Sequence, residues 1–87
     1  ANQQYSLALD DLSKAINLEP TDGLKYLLRG RVYKAKGDFA AALADYDKAA
    51  ALDPKSSNPH VDRGNALNDQ GEFDKALAAY NRAIELN

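Results

Sequence analysis

The 87-residue chain predicts an all-α fold of five helices stacked as antiparallel pairs, and three observations carry that prediction. The sequence resembles itself at a shift of 34 residues. Its apolar residues recur every three or four positions, the rhythm of an amphipathic helix, and no useful strand alternation interrupts them. Glycine and proline fall between the periodic stretches, where helices must stop.

The shift lays Arg29 and Gly30 on Arg63 and Gly64, Gly37 on Gly71, and Phe39 on Phe73. It lays Ala42-Leu43-Ala44 on Ala76-Leu77-Ala78, and Tyr46, Ala49 and Leu52 on Tyr80, Ala83 and Leu86. Shifted the other way, Ala8, Leu9, Asp11, Lys14, Ala15, Leu18 and Pro20 fall on Ala42, Leu43, Asp45, Lys48, Ala49, Leu52 and Pro54. A fixed period of this length is the mark of stacked helical hairpins, in which each unit buries its apolar face against its neighbours.

The first helix is expected from Gln4 to Leu18, with Tyr5, Ala8, Leu12 and Ala15 on one face and Pro20 beyond its end. The second runs from Gly23 to Lys36, capped by Thr21 or Asp22 and closed by Gly37, where a left-handed conformation suits glycine. The third spans Phe39 to Leu52, with Asp38 as N-cap and Pro54 after it. The fourth covers Pro59 to Gln70, with Ser56 or Ser57 as cap and proline in its first turn. The fifth runs from Phe73 to Leu86 after Gly71, and Glu72 is a weaker cap. Gly30 and Gly64 are expected to bring the first helix of a pair close to Ala42 and Ala76, while Tyr33, Phe39 and Tyr46 wedge between helices.

Eleven Lys+Arg stand against thirteen Asp+Glu, a net charge of −2, so nothing global draws the chain to nucleic acid or an anionic membrane. The longest apolar run, Phe39 to Ala44, is far short of the ~20 residues that span a bilayer, and Ala1-Asn2-Gln3-Gln4 lacks the features of a signal peptide. A soluble piece is expected, with the cytoplasm slightly favoured, and the lack of methionine suggests a cut fragment or processed product. Catalysis is not expected. Cysteine is absent and the single histidine, His60, reads as a packing residue. The carboxylate pairs Asp10/Asp11 and Asp45/Asp47 read as solvated helix faces. No glycine-rich phosphate loop is present, and Asp69 to Glu72 lacks the rest of a calcium loop, so no cofactor or metal is expected.

The middle unit reads Tyr26, Gly30, Tyr33, Gly37-Asp38-Phe39, Ala42, Tyr46, Ala49 and Leu52-Asp53-Pro54. The last reads His60, Gly64, Leu67, Gly71, Phe73, Ala76, Tyr80, Ala83 and Leu86. Over its whole length the chain resembles the tetratricopeptide repeat, a helix-turn-helix unit of about 34 residues. The resemblance implies a right-handed superhelical array, an α-solenoid. Residues 1–20 would be the second helix of a truncated repeat, 21–54 a full repeat, and 55–87 a repeat lacking its final residues.

In this family the first helix of each unit lines the concave side. That places Leu24, Leu27, Arg31, Lys34 and Ala35 in the groove from one unit, and Asn58, Val61, Asn65, Asn68 and Asp69 from the next. Leu27 and Val61 are expected as an apolar floor, flanked by Arg31, Lys34, Asn65 and Asn68, suited to a peptide of a partner protein that carries an acidic group. Lys25, Arg29, Arg31, Lys34 and Lys36 crowd one stretch without an acid among them, which also fits a plain solvated face. Members that clamp the terminal carboxylate of heat-shock chaperones use a lysine and asparagines at set groove positions. This sequence has Leu27, Arg31 and Asp62 there. Asp62 and Asp69 also disfavour RNA in the groove. The competing expectation is architectural: the piece stacks on adjacent repeats or on a second copy through the uncapped last helix, where Leu77, Tyr80 and Ile84 form an exposed apolar patch.

Overall fold

Alanine, the best helix former, supplies seven of the fourteen residues of the central helix, and glycine or proline marks every connection between helices. The computed structural model describes residues 2–87; Ala1, the first residue assigned to the opening unit, lies outside them. Its five helices are α1 (Asn2–Leu18), α2 (Gly23–Lys36), α3 (Phe39–Leu52), α4 (Asn58–Asp69) and α5 (Phe73–Leu86), and no strand occurs among the described residues. The bounds of α2, α3 and α5 coincide with the sequence expectation. Helix α1 begins two residues early, since no breaker precedes Gln4. Helix α4 is displaced by one residue at each end because proline is tolerated anywhere in a first turn.

Local chemistry sets the ends. Asp22 accepts a hydrogen bond from Leu24 N–H at 3.1 Å, and Asp38 accepts one from Ala41 N–H at 3.3 Å. Glu72 makes no side-chain cap, and Ser57 stands at the cap of α4 without bonding, while Ser56 Oγ accepts from Asn58 N–H at 3.3 Å. Gly37 and Gly71 adopt φ of +91° and +80°. Beyond them Asp38 N–H reaches Tyr33 O and Glu72 N–H reaches Leu67 O, both at 2.9 Å, the paired closure that satisfies the last carbonyls of a helix.

Each helix packs on the next in sequence, and the one further pair in contact among the described residues is α2 with α4. The first helices of the two hairpins therefore touch while α3 and α5 do not, so the stack bends with α2 and α4 on its inner side. The core lies between these layers: Leu27, Ala42, Tyr46, Ala49 and Ala66 form one cluster, and Leu67, Ala76 and Ala79 a second. Tyr33 and Phe39 are half-buried against the first, and Tyr46 is 1% exposed.

The helix glycines have a second role beside the expected close approach of paired helices. A Cβ on Gly30 would meet Tyr46 Cε1 at 2.6 Å before Ala42 O at 3.2 Å, and one on Gly64 would meet Tyr80 Cε1 at 2.5 Å. The missing side chain seats a tyrosine ring in each hairpin. The small residues Ala42 and Ala76 are not what it accommodates first.

Candidate functional site

Along the inner side, α2 and α4 frame two clefts. One, of about 390 Å³, lies toward their N-terminal ends and includes Leu24, Leu27 and Asn58 in its lining. The other, of about 460 Å³, is lined by Arg31, Lys34 and Ala35 of α2, Tyr46 of α3, and Asp62 and Asp69 of α4. Arg31 Nε donates to Asp62 Oδ2 at 2.7 Å, and Lys34 Nζ stands 3.5 Å from Asp69 Oδ2. The two cations of the second cleft are thus matched by two acids.

The residues expected to share one groove are divided among different surroundings. Leu27 is not an exposed floor: it is 4% exposed and belongs to the core beside Ala66 of α4. Leu24, 59% exposed, is the apolar side chain that α2 offers instead. Val61 lines an apolar hollow with Tyr80, Ala83 and Ile84, on the side of α4 facing α5. Asn65 is half-buried, and its Oδ1 accepts the Tyr80 hydroxyl at 2.6 Å. Asn68 is exposed.

Four of the five basic residues of α2, Lys25, Arg29, Arg31 and Lys34, are paired with acids from outside it. Lys25 pairs with Glu19 and Asp22, and the Asp22 bond raises the lysine above its usual range. Arg29 forms a two-pronged pair with Asp45, Nε to Oδ2 and Nη2 to Oδ1, both at 2.8 Å. This bond holds the guanidinium above its ordinary value. Asp45 is 5% exposed and so departs from the solvated face expected of it. His60 is half-buried, and burial, followed by Arg82 and Arg63, depresses its proton affinity. Among the described residues no group of three or more His, Cys, Asp or Glu could hold a metal ion, and no helix is long and apolar enough to cross a membrane.

Two features of the site escaped the sequence reading. Tyr46 lines the second cleft, yet its hydroxyl is buried without a hydrogen-bond partner. Burial, and then the charge of Asp62, push that hydroxyl up to about 12. The Arg31–Asp62 pair was also missed; the signal for it is that α2 and α4 run alongside, so a residue faces one about 31 positions later as well as its exact repeat mate.

At the free face the repeat lets equivalent residues be compared. Leu27 is 4% exposed but Val61 38%, and Phe39 is half-buried where Phe73 is 65% exposed. Leu77 and Ile84 are exposed as expected, at 59% and 72%, but Tyr80 is not part of that patch: it is half-buried under its bond to Asn65.

Repeating hairpins, a concave α2–α4 face and glycine-seated tyrosines define a helical-repeat protein. The family model for the tetratricopeptide repeat matches residues 1–57 and 27–87, and the chain belongs to that family. No protein of curated function matches it in sequence. Solved structures similar to it include MamA 41-end from Desulfovibrio magneticus RS-1, with a TM-score of 0.89 and 26% identity over 95% of this chain and 47% of that one. Another is the first such domain of Spaghetti (RPAP3) bound to the HSP90 peptide SRMEEVD, with a TM-score of 0.88 and 26% identity over 99% of this chain and 68% of that one. The chain spans about half the length of the MamA chains it matches.

Proposed function

We propose that this chain is a protein-interaction module that takes a peptide segment of a partner in the α2–α4 groove, and that it is not an enzyme. The observation that carries this reading is the open cleft of about 460 Å³ between the two inner helices, with Arg31 and Lys34 on one wall and Asp62 and Asp69 on the other. The RPAP3 domain with its bound peptide supports the same use of this fold. An acidic group on the peptide engages Arg31 or Lys34 by exchange with Asp62 or Asp69. Lys34 and Asp69, 30% and 49% exposed, form the pair that exchanges most easily, since surface pairs contribute only about 0–1 kcal/mol, whereas Arg31 is 49% exposed but its partner Asp62 only 13%. Leu24, Asn65 and Asn68 flank the path, Leu27 supports it from beneath, and Val61 lies apart in the hollow beside α5. The module comprises the second helix of a truncated repeat, residues 1–20, and repeats 21–54 and 55–87.

The test is the binding of fluorescein-labelled SRMEEVD, followed by anisotropy, to the wild type and to the R31E/K34E variant, with R31Q/K34Q as a milder second variant. Loss of a charged hydrogen bond should weaken binding about tenfold or more. Equal binding by all three proteins contradicts the groove reading.

A second reading is favoured by the exposed Phe73, Leu77 and Ile84 of α5. On it the segment is architectural and stacks through this face on an adjacent repeat or a second copy. Sedimentation over a concentration series tests this, and a strict monomer at high concentration argues against self-stacking.

A further inference from the structure

The two hairpins differ at one hydrogen bond. In the second, Tyr80 donates its hydroxyl to Asn65 Oδ1 at 2.6 Å. The repeat maps Tyr80 onto Tyr46 and Asn65 onto Arg31. Arginine has no acceptor, and Arg31 directs its Nε to Asp62 at 2.7 Å. The Tyr46 hydroxyl is left buried without a partner, a rare condition in folded proteins because a donor removed from water keeps its desolvation cost. It stays protonated at neutral pH, since burial first and Asp62 second raise it to about 12. Of the four charged groups acting on it, Asp62, Arg31, Asp45 and Asp69, three line the cleft. The cleft therefore has a buried proton donor that lacks an oxygen, beside cations and acids that already satisfy one another.

The geometry points to Tyr46 as the specificity-determining donor of the cleft, and to a neutral amide as the group it binds. A ligand carbonyl oxygen accepts from the Tyr46 hydroxyl, as Asn65 Oδ1 does from Tyr80, and the ligand's amide N–H faces Asp62 or Asp69. At the Tyr46 hydroxyl itself an amide fits better than a carboxylate, because its N–H can meet Asp62 or Asp69 whereas a carboxylate there would face both acids; an acidic group elsewhere on the same peptide is the one that exchanges at Arg31 or Lys34. Arg31, whose side chain is 49% exposed against 13% for Asp62, swings aside to admit it. The amide comes either from an Asn or Gln side chain or from the peptide backbone. This assignment rests on the α2–α4 groove being a peptide site.

The test has two arms. Without ligand, thermal melts compare Y46F with Y80F. Y80F loses a made bond and should melt lower, whereas Y46F removes an orphan and should melt at the wild-type temperature or above. In the R31N background, where the introduced asparagine can accept from Tyr46, Y46F should lower the melting temperature. If Y46F in the otherwise wild-type chain melts as low as Y80F, the inference is overturned, because the hydroxyl then has a partner inside the protein. With ligand, anisotropy compares SRMEEVD with SRMQEVD, SRMEQVD and SRMEAVD. If a side-chain amide is the source, one Gln peptide binds the wild type more tightly than its Glu parent, and Y46F weakens it about tenfold. If the backbone is the source, Y46F weakens all four alike. Identical binding of every peptide by wild type and Y46F, or a Glu-over-Gln preference that Y46F abolishes, overturns the amide assignment while leaving the groove reading in place. No binding of any peptide to the wild type overturns both.

Discussion

Replacing Gly30 by alanine tests the packing that positions the cleft. The new Cβ would stand 2.6 and 2.8 Å from Tyr46 Cε1 and Cδ1 and 3.2 Å from Ala42 O, so either the ring or the α3 backbone must move. The ring, 1% exposed, has nowhere to go within the core. Overpacking of this kind costs about 1–3 kcal/mol, and contacts this short belong at the upper end. Alanine returns about 1 kcal/mol in helix propensity. The net is a loss of about 2 kcal/mol, or roughly 8–16 °C in melting temperature for a domain of this size. Differential scanning calorimetry of G30A, Y46L and G30A/Y46L reads it directly. With the ring removed only the 3.2 Å approach to Ala42 O remains, and G30A should become close to neutral, so the two substitutions couple by about 2 kcal/mol. An equal cost for G30A with and without Tyr46 would refute the reasoning. G37A is the contrasting control: no atom lies within 4 Å of its Cβ, yet φ of +91° makes alanine cost about 1–2 kcal/mol for backbone reasons alone.

Three other expectations concern buried and exposed groups. D45A strands Arg29, whose side chain is 21% exposed, and urea unfolding should report a loss of about 2 kcal/mol, below the full value of a deeply buried pair. Tyr46, raised from 10.0 to about 12, stabilises the fold below pH 10, and this contribution disappears as pH rises through 12; about 2–3 kcal/mol should be lost over that window in the wild type but not from position 46 in Y46F, as measured by unfolding at successive alkaline pH values. L77E/I84E alters residues 59% and 72% exposed, so stability should change by no more than about 0.5 kcal/mol per site while any concentration-dependent association seen by sedimentation falls away.

The helices were legible because their signals are local. Gly37 and Gly71 need left-handed backbone, Pro54 has no donor to continue α3, and Asp22 and Asp38 cap from within a turn, all of which a reader can place without tertiary structure. Helical spacing put Leu24, Arg31 and Lys34 on one side of α2, and the family resemblance, not the spacing, assigned that side to the concave face. What escaped were the contacts that cross between units. The basic run of α2 looks unbalanced along the chain, but Asp45, Asp62 and Asp69 reach it from α3 and α4. Leu27 looks like a groove residue by position, yet the approach of Ala66 from the next hairpin buries it, while its counterpart Val61, in the hollow beside α5, has no further hairpin against it among the described residues and stays 38% exposed. The orphaned hydroxyl of Tyr46 depends on residue 31 being arginine where residue 65 is asparagine, a difference visible in the sequence but meaningless until the tyrosine is seen against that position.

Amide chemical-shift mapping of the isotope-labelled chain during titration with SRMEEVD bears most directly on the groove. The shifts should concentrate on the inner helices, at Leu24, Arg31, Lys34, Asp62 and Asn65. Shifts confined to α3 and α5, or gathered around Phe73, Leu77 and Ile84, would contradict it.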